Sequence, residues 1–208
     1  IFYGEGWTMG TAVEPGNTMA TQANSAATPE FGYFSDTIRN LLGGENGRTT
    51  GFAAGAAYAE GGVADNFMAK PGWTNRPTQI IQYASCHDNY TLFDNLTIDV
   101  MDAEGITAAE AAPKAAAMNN LAAAYYITAQ GVPFIHAGEE MLRSKPDAQQ
   151  DNGFNHNSYA SGDAINSIKW STLADELVDN AHDYYQGLIA FRKAHAALRM
   201  TKEAEVLA

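Results

Sequence analysis

QIIQYASCHDNYTLFD, residues 79–94, is the stretch whose reading decides the fold. Ile80 to Ser85 is a short apolar run, rich in β-branched and aromatic residues, that breaks abruptly into Cys86, His87, Asp88 and Asn89. A buried parallel strand that delivers polar groups at its carboxyl end reads this way. Such strand ends are where α/β sheets and barrels keep their chemistry. A His-Asp pair there can hold a polar substrate through two hydrogen bonds, and the carboxylate also favours positive charge developing on it. The same residues read equally as a structural turn, because Asp and Asn cap helices and bond back to the backbone after strands.

Outward from this stretch, the pattern of a strand followed by polar residues recurs. Ile1 to Tyr3 reads as a strand, with Glu5 at its carboxyl end and the indole of Trp7 beside it. An aromatic face that shields the carboxyl would keep it protonated until it donates to a leaving oxygen, which suits a general acid. Thr8 to Pro29 has no periodicity and reads as a long loop of the kind that shapes a cleft. Phe31 to Phe34 is the next strand, and Ser35 or Asp36 caps a short helix through Leu42 that stops at Gly43-Gly44; Asp36 and Arg39 read as the cap and its local partner. Gly51 to Gly62 lacks the G-x-G-x-x-G and G-K-[ST] arrangements of phosphate loops and reads as a connector.

Thr107 to Gln130 is the longest helical pattern, with Pro113 in the first turn of its main portion, Gly131 as the stop and a core face of Met118, Leu121, Tyr125 and Ile127. Val132 to His136 is another buried strand, followed by Glu139, Glu140 and Arg143. Asp151 to Asp163 is a loop dense in Asn, His, Tyr and Asp, side chains that donate and accept at once as sugar hydroxyls require. Asp179 to Leu198 reads as an amphipathic helix. The order of strand, loop, strand, helix, strand, helix, strand, helix predicts parallel strands joined by right-handed crossovers.

The run YASCHDNYTLFDNL resembles the last diagnostic region of the alpha-amylase superfamily, most closely its pullulanase-type debranching enzymes. IFYGEGW is similar to the preceding diagnostic region, in the correct order. FGYFSDTIRNLLGG resembles the segment between those regions, and GVPFIHAGEEMLRSK the final strand and loop of the pullulanase barrel. DNGFNHNSYASGD is similar to the family's Asn-Ser-Tyr-Asn-Ser loop, with Ala160 where the family more often has Asn. The resemblance implies an α/β fold, a partial TIM (β/α)8 barrel made of strands five to eight with their helices and long loops. Four strands cannot close a barrel that needs eight. Residues 1–200 would form this carboxyl-terminal half, and residues 201–208 would begin a connection to a missing carboxyl-terminal domain.

In that superfamily glycosides are hydrolysed with retention, through an attacking Asp, a Glu acid/base and a second, stabilising Asp. Residue by residue the resemblance carries the acid/base to Glu5 and the stabiliser to Asp88. It carries substrate binding to Trp7, His87, Asn89, Arg143, Asn157, Tyr159 and Asp163. The attacking Asp would lie upstream of Ile1, in the amino-terminal half of the barrel, which is the expected partner. The implied substrate is an α-glucan cut at α-1,6 branches. The alternatives are an α-1,4-acting hydrolase of the same superfamily, or a non-catalytic carbohydrate-binding relative.

Composition limits the remaining classes. The chain has 208 residues, is 46% hydrophobic and carries a net charge of −12. That balance disfavours nucleic acid and anionic membrane surfaces as partners, and suits a neutral sugar. The one cysteine, Cys86, excludes an internal disulfide. No signal peptide or spanning segment is visible, and the chain opens without Met on a strand-like run, as an internal piece of a longer protein would. Asn89-Tyr90-Thr91 and Asn95-Leu96-Thr97 match glycosylation acceptors, but a glycan on Asn89 would sit in the cleft. Both are read as chance matches, and an extracellular or cell-surface bacterial setting is expected. His136 and Glu139 lack the second His and third ligand of a zinc hydrolase, so no metal site is expected. No cofactor is assigned; calcium is an expectation for the parent protein alone.

Overall fold

In the computed structural model, residues 2–45 and 49–208 are described. Four short strands, β1 (Phe2–Gly4), β2 (Phe31–Phe34), β3 (Ile80–Gln82) and β4 (Val132–Pro133), pair in the order β1-β2-β3-β4. All three pairings are parallel, with Phe2 opposite Phe31, Tyr33 opposite Ile80 and Ile81 opposite Val132. The expected strands are present; β2 has the bounds read from sequence, whereas β3 and β4 are shorter than their apolar runs. The ladder stops at Gln82 and Pro133, while Tyr83 and Ala84 continue as buried irregular chain. Ile1, read as the first strand residue, lies outside the described residues.

Each of the last three strands leads into helix. Helix α1 (Asp36–Gly43) follows β2, and α2 (Glu60–Phe67) precedes β3. Helices α3 (Leu92–Glu104) and α4 (Ala108–Thr128) follow β3, and after β4 come the single turn α5 (Asp163–Asn166), α6 (Glu176–Ala194) and the short α7 (Glu203–Val206). The second half of the stretch read as a connector is therefore helical, because Glu60 opens α2 and Val63 buries against α1's core face. Helix α3 is an element that the sequence reading does not contain. Thr91 caps it by accepting from the Asp94 amide, and Gly105, at φ 67°, ends it in the left-handed conformation that glycine adopts without strain.

Helix α4 begins earlier than its proline suggests. Thr107 and Glu110 form a reciprocal capping box, which leaves Pro113 inside the helix, where it removes the bond to the Ala109 carbonyl. Along this helix Tyr126 and Ile127 are buried and Met118 and Tyr125 pack against the core, but Leu121 is 48% exposed. The core face runs through Ala115, Ala122 and Tyr126 instead. Gly131 does stop the segment: at φ 108° it turns the chain so tightly into β4 that a Cβ there would lie 2.9 Å from the Ile80 carbonyl oxygen. Among the described residues, no helix is long and apolar enough to cross a membrane.

Short strands supply few ladder bonds, and buried side chains make up the difference. Gln79 Nε2 donates to the carbonyls of Ser25 and Thr28, both at 3.0 Å. Gln82 Nε2 ties Asn66 to Gln130, at 2.8 and 2.9 Å. Arg192, buried on α6, donates to the carbonyls of Ile127, Ala129 and Gly131, at 2.8, 2.8 and 2.7 Å. These are the orphan carbonyls of the end of α4, so one guanidinium fixes the α4–β4 turn to α6. Replacing Arg192 by Ala strands them, and urea denaturation is expected to show a loss of about 2–4 kcal/mol. Lys193→Ala, one residue on and exposed, is expected to stay within about 0.5 kcal/mol.

Candidate active site

Parallel pairing brings every strand's carboxyl end to the same rim, and the chain past those ends carries most of the polar groups singled out above. Glu5 follows β1 by one residue. His87 and Asp88 follow β3 in the turn that ends at Asn89. His87 Nε2 stands 3.9 Å from Glu5 Oε1 and 3.4 Å from Asp88 Oδ1. The donor atoms of all three residues lie within 4.8 Å of one another. Trp7 joins them as expected, but by a different contact. Its indole N–H donates to Glu5 Oε2 at 3.1 Å, a hydrogen bond rather than the apolar cover that the sequence suggests. Gly6 permits this: at φ 81° it reverses the chain over Tyr33, where a Cβ would meet the ring at 2.9 Å.

These groups line a cleft of about 300 Å³, floored by Phe34, Tyr83 and Phe134. The Phe34 ring packs edge-on against both Tyr83 and Phe134, with centroids 4.9 Å apart in each case. An aromatic floor under exposed carboxylates suits a polyol with apolar C–H faces. Arg39 also lines this cleft, its guanidinium 5.9 Å from the Tyr83 ring centroid. Read from sequence as the partner of Asp36, it instead donates to Asn40, while Asp36 accepts from Gln22. Burial pushes the Cys86 thiol up, with Arg39 and a backbone bond to Asp88 opposing, so it remains a thiol at neutral pH and is a poor nucleophile.

His87 is shared with a second cleft of about 350 Å³, lined also by His136, Arg143, Lys145, Tyr159 and Asn166. Two of the predicted substrate residues, Arg143 and Tyr159, thus share a wall with His87. Asn89 does not join them; it lines a separate narrow recess with Asp88, and its carbonyl accepts from Lys145. Asn157 and Asp163 are exposed and line neither cleft. Their backbone is fixed locally: the Asn157 amide donates to Asn155 Oδ1, and the Asp163 backbone carbonyl accepts from Ser167 and Lys169 at the start of α5.

Lys145 is the largest contributor that the sequence reading missed. Its ammonium is buried, donating to the Asn89 carbonyl at 2.6 Å and to Ser158 Oγ at 3.2 Å. Its amide donates at 2.8 Å to Asp94, the fully buried carboxylate at the start of α3, which also accepts from Ser144. Burial lowers the affinity of Lys145 for its proton and raises that of Asp94 for its own, and each opposes the other's shift. One lysine therefore ties the His87–Asp88 turn, whose Asn89 sits at a strained φ of 67°, to the loop bearing Tyr159.

His136 faces Ser85 and Arg143, and Glu139 is enclosed by Ser85, Tyr126 and Tyr185. Two exposed groups, Glu5 with His87 and Asp88, and Asp179 with His182 and Asp183, are compact enough for a cation. Exposed acidic groups commonly gather this way without one, and no ligand role is assigned to either.

No protein-family model matches the chain. The pullulanase of Bacillus subtilis strain 168 is 32% identical over 214 residues, which take in 99% of this chain and 27% of that protein. The chloroplastic pullulanase 1 of Arabidopsis thaliana is 29% identical, over 81% of this chain and 21% of that protein. The crystal structure of the Paenibacillus barengoltzii pullulanase in complex with maltohexaose and alpha-cyclodextrin superposes with a TM-score of 0.82 at 31% identity, covering 99% of this chain and 31% of that one. The chain spans about a quarter of the length of these relatives.

The Lys145 tie makes the rim turn testable without a substrate. Lys145→Met keeps the stem and removes the charged bonds to Asn89 and Ser158, for an expected loss of about 2–4 kcal/mol. Labelling of Cys86 by a thiol reagent under native conditions should accelerate at the same time, because the turn loses its tether. An unchanged labelling rate would mean that the turn holds its shape without Lys145.

Proposed function

We propose that this chain, similar to pullulanases along its whole length, is part of the catalytic domain of a retaining glycoside hydrolase that cuts α-1,6 branch linkages in α-glucans. One observation carries the reading: Glu5 and Asp88, remote in sequence, have carboxylate oxygens within 4.8 Å at one rim, with His87 between them. Glu5 is the acid/base. It gives its proton to the glycosidic oxygen as that bond breaks, and in the second half-reaction takes a proton from the water that attacks the anomeric carbon. Asp88 faces the positive charge that develops on the ring in both transition states. The attacking carboxylate is assigned to the strand preceding β1, outside residues 1–208.

Under the same proposal β1 to β4 are strands five to eight of a (β/α)8 barrel, and the outer edges of β1 and β4 are its seams with the other half. The exposure of Phe2 and Tyr3 on β1, 73% and 54%, supports a covering partner at that edge. His87, Arg143 and Tyr159 bind the glucan beside the cleavage point. Relatives bound to maltose and maltohexaose in solved structures support an α-glucan as the ligand class.

In the complete protein, Glu5→Gln and Asp88→Asn are each expected to lower pullulan turnover by about 10²–10⁴-fold with the melting temperature preserved. Turnover that survives either change would remove that residue from the mechanism. Pullulan cleaved in preference to amylose is expected, and the reverse preference would favour the α-1,4-acting alternative. Residues 1–208 alone, without the attacking carboxylate, are expected to release no reducing sugar from pullulan, and release by the purified segment would refute the assignment of that group.

A further inference from the structure

Outside the groups that act on the bond, Glu139 is a buried acid whose carboxylate is held by three hydroxyls. It is buried under β4's end, and its oxygens accept from three hydroxyls: Ser85 at 2.5 Å on Oε2, and Tyr126 at 2.6 Å and Tyr185 at 3.0 Å on Oε1. Burial pushes its carboxyl up to about 7, against the pull of those three donors. Glu140 beside it, in the same turn, adds to the rise.

The bonds leading from Glu139 to the cleft have a fixed direction. Arg143 Nη1 lies 3.1 Å from His136 Nε2, and a guanidinium can only donate. Nε2 must therefore accept, which places the imidazole proton on Nδ1. Nδ1 faces Ser85 Oγ at 3.4 Å, and Ser85 has its own proton committed to Glu139. With Glu139 ionised, donation runs one way, from Arg143 to His136 to Ser85 to Glu139. His136 is neutral in this arrangement, in keeping with burial, Arg143 and Lys145 holding it down to about 4. Arg143 also donates to the carbonyls of Ala137 and Asn166, at 3.0 and 2.6 Å, and Asn166 holds the carbonyls of Ser158 and Ser161 on either side of Tyr159.

We propose that Glu139 is a positioning residue for glucan recognition: as the terminal acceptor it fixes the His136 proton on Nδ1, and so sets Arg143 and the Tyr159 loop in the wall of the cleft. The proposal rests on the reading of that cleft as a glucan site. Its distinctive consequence concerns polarity rather than packing. In Glu139→Gln the side chain keeps its shape, and Oε1 still accepts from the two phenols, but the amide nitrogen can only donate to Ser85. Ser85 must then turn its proton toward His136 Nδ1, which drives the imidazole proton to Nε2 and against the donor on Arg143. The opposite amide rotamer would strand two buried phenolic donors.

The test uses the complete protein labelled with 15N-histidine, together with steady-state hydrolysis of pullulan. His136 is expected as the neutral Nδ1–H tautomer in the wild type and as Nε2–H in Glu139→Gln. KM should rise about tenfold in that variant, the scale of one charge-assisted bond lost, with kcat held within about twofold. Ser85→Ala severs the same chain while leaving the phenols on Glu139, so it should raise KM alike, and the double variant should be no worse than either single one. Should Glu139→Gln not fold, Ser85→Ala alone decides: an unchanged KM overturns the proposal. An Nδ1–H tautomer that persists in Glu139→Gln, or KM effects that add in the double variant, overturns it as well. A wild type that hydrolyses no glucan would refute the functional reading instead, and the tautomer measurement would still test the chain of bonds.

Discussion

Parallel pairing of very short strands is the constraint from which the rest follows. With Phe2 opposite Phe31, Tyr33 opposite Ile80 and Ile81 opposite Val132, every strand runs the same way and every carboxyl end reaches one rim. Glu5, the Cys86–Asn89 turn and His136 then emerge side by side although long loops and helices separate them in the chain. Register matters as much as direction. A slip of one residue in β3 would exchange the faces of Ile80, Ile81 and Gln82, pulling Gln82 off the Asn66 and Gln130 carbonyls and aiming the His87–Asp88 turn elsewhere.

Strands of two to four residues cannot hold that register through their own hydrogen bonds. Buried polar side chains do so, each donating to backbone carbonyls at the ends of neighbouring elements. Gln79 reaches back to the loop before β2, Gln82 spans α2 and α4, and Arg192 closes the end of α4 against β4. A net gain of about 0.5–1.5 kcal/mol per bond is modest, but leaving any of these groups unpaired in the core costs more than the bond contributes. The arrangement is therefore stabilised less by the strength of each contact than by the cost of alternatives that strand a buried donor or acceptor.

What was legible in the sequence, and what was not, follows from the range over which each signal acts. Strand ends were legible because an apolar run that breaks into His, Asp or Glu is a local pattern, and Glu5, His87 and Asp88 were found this way. Helix α3 has equally local signals in Thr91, Asp94 and Gly105, but the first two lie inside the stretch that reads as a chemical site, which masks their capping role. Leu121 was placed on the core face by its spacing, whereas the close contacts of α4 go through alanines that carry little signal. Arg39 and Lys145 could not have been assigned from neighbours at all. The partner of Lys145 is a carbonyl in another loop, and the rim position of Arg39 depends on where β3 falls beside α1. Asn157 and Asp163 carry the right chemistry for a sugar, yet the backbone bonds that fix their turn leave both residues exposed and outside the two clefts.

The rim divides its polar groups by solvent. Glu139, Lys145, Asp94 and His136 are buried and hydrogen-bonded, whereas the side chains of His87 and Asp88 are 76% and 62% exposed. Charges in water interact weakly, so the exposed trio can exert little force on one another or on a distant bond while the cleft is open. A sugar seated on Phe34, Tyr83 and Phe134 would displace that water and strengthen each of these interactions at the moment it is needed. The buried groups have no such change to undergo. Their part is to hold the turn, Arg143 and the Tyr159 loop in place before the substrate arrives, so that little binding energy is consumed in ordering them.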